Sequence, residues 1–178
     1  MFRGMRFPAL IAVPAIALAL AGCSAQEPAT QPITSTEVKP LFSSDEEALA
    51  AAEAAYANYL QVSDQIARDG GANPERLKGL VSSKMYESEI STLESFSQNE
   101  IVMTGQTIVD SVHLQVVKPT TVSIYLCLDT SSAELSNPKG TIEKTSPSRW
   151  PLLVQLGDDG SGNLVLEESQ TWSGTNFC

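Results

Sequence analysis

Residues 111–129 read Ser111-Val112-His113-Leu114-Gln115-Val116-Val117-Lys118-Pro119-Thr120-Thr121-Val122-Ser123-Ile124-Tyr125-Leu126-Cys127-Leu128-Asp129. Val112, Leu114 and Val116 alternate with Ser111, His113 and Gln115. After the turn Lys118-Pro119-Thr120, Val122, Ile124, Leu126 and Leu128 alternate with Ser123, Tyr125, Cys127 and Asp129. Successive strand side chains point to opposite faces, so a period of two on both sides of a turn predicts a β-hairpin with one buried face.

C-terminal to this hairpin, a polar stretch holds Pro138-Lys139-Gly140. Trp150, Leu152, Val154 and Leu156 then mark a third strand, with Pro151 suited to a strand start or edge. Gly157-Asp158-Asp159-Gly160-Ser161-Gly162-Asn163 reads as a hairpin loop, and a last strand runs from Leu164 to about Trp172.

N-terminal to the hairpin the period is helical. Ser44-Asp45-Glu46-Glu47 is a capping box, and its acids complement a helix N-terminus. Leu49, Ala52, Tyr56, Tyr59, Leu60 and Ile66 form one stripe, ended by Gly70-Gly71. Asn73-Pro74 predicts a second, short helix with Asn73 as its N-cap and Leu77, Leu80 and Val81 facing inward. Tyr86, Ile90, Leu93 and Phe96 predict a third over about residues 83–96. Helices followed by antiparallel strands give an α+β class. The expected architecture is N-terminal helices packed on a curved four-stranded antiparallel sheet.

The order of elements resembles the nuclear transport factor 2-like fold, or cystatin-like roll, in which N-terminal helices lie in the concave face of a bent sheet. The chain also looks like a group of small actinobacterial lipoproteins. That likeness rests on the Ala-rich stretch 48–58, Tyr59-Leu60-Gln61-Val62-Ser63-Asp64-Gln65-Ile66, Gly70-Gly71-Ala72-Asn73-Pro74-Glu75-Arg76, Cys127-Leu128-Asp129 and Trp172-Ser173-Gly174-Thr175-Asn176-Phe177-Cys178. It implies a fold and an address but no activity.

The N-terminus carries the address. Arg3 and Arg6 precede an apolar run from Phe7 to Leu20, interrupted by Pro8 and Pro14. This is too short and too broken for a spanning helix and matches a secretory signal. Leu20-Ala21-Gly22-Cys23 resembles the bacterial lipobox, which implies cleavage before Cys23 and a diacylglyceryl group on its sulfur. The alternative is an ordinary thiol after a secretory signal. Each buried lipid methylene contributes roughly 0.8 kcal/mol, so two chains anchor firmly where one does not. Residues 1–22 then form the signal peptide. Residues 23–43, rich in Ser, Ala, Gln, Thr, Pro and Glu, form a flexible tether, and residues 44–178 form a single domain on the extracytoplasmic face.

Removing residues 1–22 takes Arg3 and Arg6 from the 11 basic side chains and none of the 21 acids, leaving a net charge of −12. Such a surface disfavours nucleic acid and anionic head groups. With Cys23 lipidated, Cys127 and Cys178 remain in a compartment that permits disulfides. A bridge would close a loop of about 50 residues, worth roughly 4 kcal/mol in the chain-entropy picture. The alternative is two free thiols.

Recognised chemistries are scarce. The single histidine, His113, falls on the polar face of its strand, away from any nucleophile. One histidine and committed cysteines build no zinc site. Ser136-Asn137-Pro138-Lys139 with Lys144-Thr145-Ser146 faintly resembles penicilloyl-serine enzymes, but both lie in one loop of a much shorter chain. Asp159, Ser161 and Asn163 are spaced like a calcium loop, yet Leu164 and Gln170 stand where Gly and Glu are needed. No cofactor or metal is expected.

The reading is a non-catalytic, lipid-anchored module for a protein partner or a small apolar ligand, of open oligomeric state. One alternative is a small isomerase- or hydrolase-type enzyme with its pocket drawn from Tyr56, Tyr59, Tyr86, Asp110 and Asp129. Another is an accessory subunit of an envelope complex. Replacing Cys23 by Ser is expected to shift the protein from the membrane pellet to the soluble fraction or to block its processing. A variant still processed and as firmly bound as wild type would refute lipid anchoring.

Overall fold

The computed structural model describes residues 39–178, so the signal, Cys23 and most of the tether lie outside the described residues. The chain is α+β, with two α-helices and two antiparallel sheets of four and three strands. Helix α1 spans Asp45–Arg68 and α2 spans Ser83–Gln98. Strands β2 (Ile108–Lys118), β3 (Thr121–Asp129), β6 (Arg149–Asp158) and β7 (Leu164–Thr171) form the larger sheet in the order β2-β3-β6-β7. The smaller sheet holds β1 (Val102–Thr104), β4 (Glu134–Asn137) and β5 (Gly140–Ile142) in the order β1-β4-β5. No helix among the described residues is long and apolar enough to cross a membrane.

Helix α1 starts where its cap dictates. The Glu47 amide donates to Ser44 Oγ at 3.2 Å. The reciprocal half of the box is displaced by one residue: the Ser43 amide and hydroxyl donate to Glu47 Oε2 at 2.8 and 2.6 Å. The chain is docked even earlier, since the Leu41 amide donates to the Pro119 carbonyl at 3.1 Å and Phe42 packs on the core. At the far end Gly70 and Gly71 take φ of +67° and +82°, and the Gly71 amide donates to the Ile66 carbonyl at 2.8 Å. This 6→1 bond closes the helix in the Schellman manner. A Cβ on Gly71 would stand 2.2 Å from the Leu93 carbonyl oxygen, so α2 lies against bare backbone there.

The expected second helix is only the 3-10 turn Pro74–Leu77. Asn73 is left-handed (φ 53°) and makes no side-chain cap, and Gly79 (φ +78°) ends the turn. The segment instead guards the sheet edge. The Leu166 amide donates to Leu80 O at 2.9 Å and the Ser82 amide to Leu166 O at 2.8 Å, which occupies groups that β7 would expose.

Both helices pack on one face of the larger sheet. Ile124, Leu126, Val154 and Leu156 are fully buried there with Ala48, Ala52, Ile66 and Leu77, alongside Tyr56, Leu93 and Leu152. Phe96, expected in this core, belongs to a second cluster with Ala67, Met103 and Ala133 under the small sheet.

Strand β2 departs from strict alternation. Its register against β3 shifts between Asp110 and His113 and again between Leu114 and Val116. Ser111 sits at φ 52° within the first irregularity. An extra residue in one strand turns those beyond it to the opposite face. Val109, Leu114 and Val117 therefore lie opposite Leu128, Ile124 and Val122, while Val116, expected to face inward, pairs with Ser123.

The other face of the sheet carries the tail. Cys127 and Cys178 are joined as a disulfide with Cα atoms 5.6 Å apart. Trp172 and Phe177 meet the Tyr125 ring edge-on at centroid distances of 4.9 and 6.1 Å, and Phe177 meets His113 at 6.2 Å. Truncating Ile124 or Leu126 to Ala is expected to cost about 2–5 kcal/mol, read from urea unfolding of the oxidised protein. A loss below about 1 kcal/mol at both sites would contradict the packing described.

Candidate functional site

The stripe of α1 supplies the first half of the site. Tyr56 and Tyr59, three residues apart on one face, bring their ring centroids to 5.7 Å. Both are buried, yet both border a cleft of about 410 Å³ between α1, α2 and the larger sheet. Its floor and walls include Met85 of α2, Met103 of β1, Leu128 of β3, and Trp150 and Leu152 of β6.

Polar groups gather at the helix end of this cleft. The Tyr59 hydroxyl lies beside the Glu89 carboxyl of α2 and the Ser63 hydroxyl, and that of Tyr56 beside Ser169 of β7. Burial pushes the Tyr56 phenol up to about 12, its bond to Ser169 only partly offsetting this. Burial, and then the Glu89 charge, push Tyr59 well above the ordinary tyrosine range. Glu89 is itself raised by desolvation, which the Tyr59 hydroxyl counters in part. No basic side chain pairs with Glu89 among the described residues.

A second cavity of about 450 Å³ adjoins the first under the small sheet, sharing Met103, Thr107, Thr130 and Trp150 with it. Phe96, Ala133, Leu135 and Ile142 make its lining mostly apolar. Lys144 at its rim is engaged, donating to Thr130 O and Ser131 O at 2.5 and 3.2 Å.

Asp64 holds these parts together. Its side chain is buried and accepts from the Thr107 amide (2.8 Å) and hydroxyl (2.9 Å), with Arg68 at 3.9 Å. Arg68 also donates to the Gly105 carbonyl at 3.2 Å. Gly105 takes φ +74°, and a Cβ there would stand 1.8 Å from the Ser132 carbonyl oxygen.

The structure thus brings Tyr56 and Tyr59 together on a cavity but separates the other three candidates. The Tyr86 ring lies outside the cleft, with Lys78 Nζ 5.6 Å from its centroid. Asp110 pairs with Arg149 at 2.5 Å, and that bond holds its carboxyl below the usual range. Asp129 accepts from the Ser131 amide at 2.7 Å and is lowered by that bond first. Neither aspartate borders the cleft. Asp159 is spent on its own loop, accepting from the Ser161 hydroxyl and amide at 2.7 and 2.8 Å, which lowers it to about 2. Among the described residues no three of His, Cys, Asp and Glu meet in a cluster that could hold a metal ion.

Glu89 is the functional candidate that sequence reading missed. It sits three residues after Tyr86 and four before Leu93, hence on the inward stripe of α2. An acid on that stripe was the available signal.

No family model and no curated protein match this chain. Among solved structures it is similar to the intermembrane space region of the chloroplast protein ARC6, with a TM-score of 0.54 and 12% identity. That match covers 71% of this chain and 97% of the other, and it shows a shared fold only. A de novo designed β-sheet protein aligns at 12% identity and a TM-score of 0.32, over 74% of this chain and 89% of the design.

Desolvation of Glu89 has a pH signature. With its folded value raised above the ordinary 4.5, the folded state holds a proton that the unfolded state releases. Stability therefore falls as pH rises from about 4.5 through the folded value, and the loss is constant above it. Glu89→Gln removes this loss. Melting temperatures of variant and wild type should coincide in acid, with the variant pulling ahead towards neutral pH; parallel curves would refute the desolvated carboxyl.

Proposed function

We propose that this protein is a lipid-anchored, extracytoplasmic binding module of the cystatin-like roll type, which holds a small, largely apolar ligand in the cleft between helices and sheet. The observation that carries this reading is the cleft itself: an open space of about 410 Å³ whose walls combine apolar side chains with a few polar groups. Such a combination is characteristic of small-molecule sites, where apolar walls contribute affinity and a few polar groups set orientation. The two bulges in β2 support the roll, because a bulged strand bends and curves its sheet. The Leu20-Ala21-Gly22-Cys23 motif supports the anchor.

Catalysis by the same cleft is the second reading, favoured by one feature. A carboxyl raised by burial beside a tyrosine hydroxyl is a usable acid–base pair. It would employ Glu89 and Tyr59, since Asp110 and Asp129 are ion-paired or turn-bound outside the cleft.

An uncharged environment-sensitive dye tests binding. In the full chain carrying Trp172→Phe, Trp150 is the remaining tryptophan and reports on the cleft wall. Saturable one-to-one binding that quenches or shifts Trp150 is expected, and Ser63→Phe should abolish it by filling the polar end at unchanged melting temperature. Binding indifferent to Ser63→Phe, or none, would refute the cleft as a ligand site. Turnover of ester or ketosteroid substrates that disappears in Glu89→Gln would favour the enzyme reading instead.

A further inference from the structure

The cleft is electrically one-sided. Its lining holds two carboxylates, Glu89 and Asp64, and no lysine, arginine or histidine. Asp64 is satisfied by Thr107, and Arg68 beside it is turned to Asp64 and to the Gly105 carbonyl. Glu89 has the Tyr59 hydroxyl and no cation. Tyr56, Tyr59 and Trp150 share the lining of the cleft with it. A half-buried carboxylate with no cationic partner favours a positive head group. The charge is complementary, and an ammonium group can donate charge-assisted hydrogen bonds to it. The same arrangement disfavours a carboxylate or phosphate head, which would face Glu89 without a counter-ion.

Beyond the polar end the space is apolar and extended. Met103 and Trp150 border both the cleft and the adjoining cavity, whose remaining lining includes Phe96, Leu135 and Ile142. A ligand with its head at Glu89 can therefore run a hydrocarbon segment past Trp150 and under the small sheet. Resting on the reading of the cleft as a ligand site, we propose that its ligand is an amphipathic amine, with the ammonium group on Glu89 beside the Tyr59 hydroxyl and the apolar segment along Met103 and Trp150. Glu89 is then the specificity-determining residue, and the pairing supplies the counter-ion that the unliganded carboxylate lacks.

Competition against the uncharged dye tests this on the full chain, with octylammonium, octanol and octanoate as probes of equal chain length. Octylammonium is expected to displace the dye at about tenfold lower concentration than octanol, the size of one charge-assisted bond, with octanoate the weakest. In Glu89→Gln the advantage of octylammonium over octanol should vanish while the dye still binds. Displacement in the same order of potency by all three heads, or an ammonium preference that survives Glu89→Gln, would overturn the assignment and leave the cleft standing as an apolar site. Absence of dye binding in wild type would remove the cleft reading itself. If Glu89→Gln lost the dye as well, the head-group order in wild type would decide alone.

Discussion

The bond from Asp64 to Thr107 is the constraint on which the cleft depends. A carboxylate buried on a helix is expensive unless its oxygens are satisfied, and here both are, by one residue 43 positions away. The pairing fixes the β1–β2 link against the C-terminal half of α1. With that link in place, Gly105 lies against the Ser132 carbonyl, and the Ser132 hydroxyl donates to Gln106 O at 3.1 Å. The stretch that leads into β4 is thereby located, and with it the small sheet that roofs the second cavity. Losing Asp64 would release more than one contact, because α1, the small sheet and the start of β2 meet at this junction.

Much of the larger sheet was legible because its signal is local and redundant. The Val122–Leu128 alternation places four apolar side chains on one face and the Leu152–Leu156 alternation three, and those faces are the core. The small sheet was not legible for the opposite reason. Its strands are three or four residues long, with polar residues such as Thr104, Glu134, Ser136 and Thr141, and the pairing of β1 with β4 joins segments about thirty residues apart. The β2 bulges were hidden as well. Ser111, in the first, adopts positive φ without being glycine, and no turn residue announces the second, between Leu114 and Val116, which sends Val116 outward and Val117 inward. The Asn73-Pro74 signal misled in a similar way: Pro74 does begin a helical turn, but Gly79 allows no second one.

The site was half legible. Tyr56 and Tyr59 stood out on the apolar stripe of α1, and the cleft does use them. Asp110 and Asp129 looked available because Arg149, which pairs with Asp110, comes from β6 and is distant in sequence. Glu89 passed unnoticed because an acid on an amphipathic helix ordinarily faces water. Only the meeting of α2 with α1 makes it inward, and that meeting depends on Gly71 admitting the Leu93 carbonyl.

Sheet geometry also explains why the two faces can serve separate ends. One face is committed to the helices, and the other would leave Tyr125, Cys127 and their neighbours open to water. The tail covers it with Trp172 and Phe177, and the disulfide from the fully buried Cys127 fixes that cover covalently. Stability supplied from this outer face lets the inner one carry an unfavourable group. Glu89 opposes folding wherever it is ionised, and an apolar or amide side chain at its place would suit the packing better. An incompletely compensated carboxyl in an apolar cleft is a cost to stability, which the proposed recognition of a cationic head group would put to use. On that proposal, the cost to the folded state and the recognition of charge share one source, the removal of water from around one carboxyl.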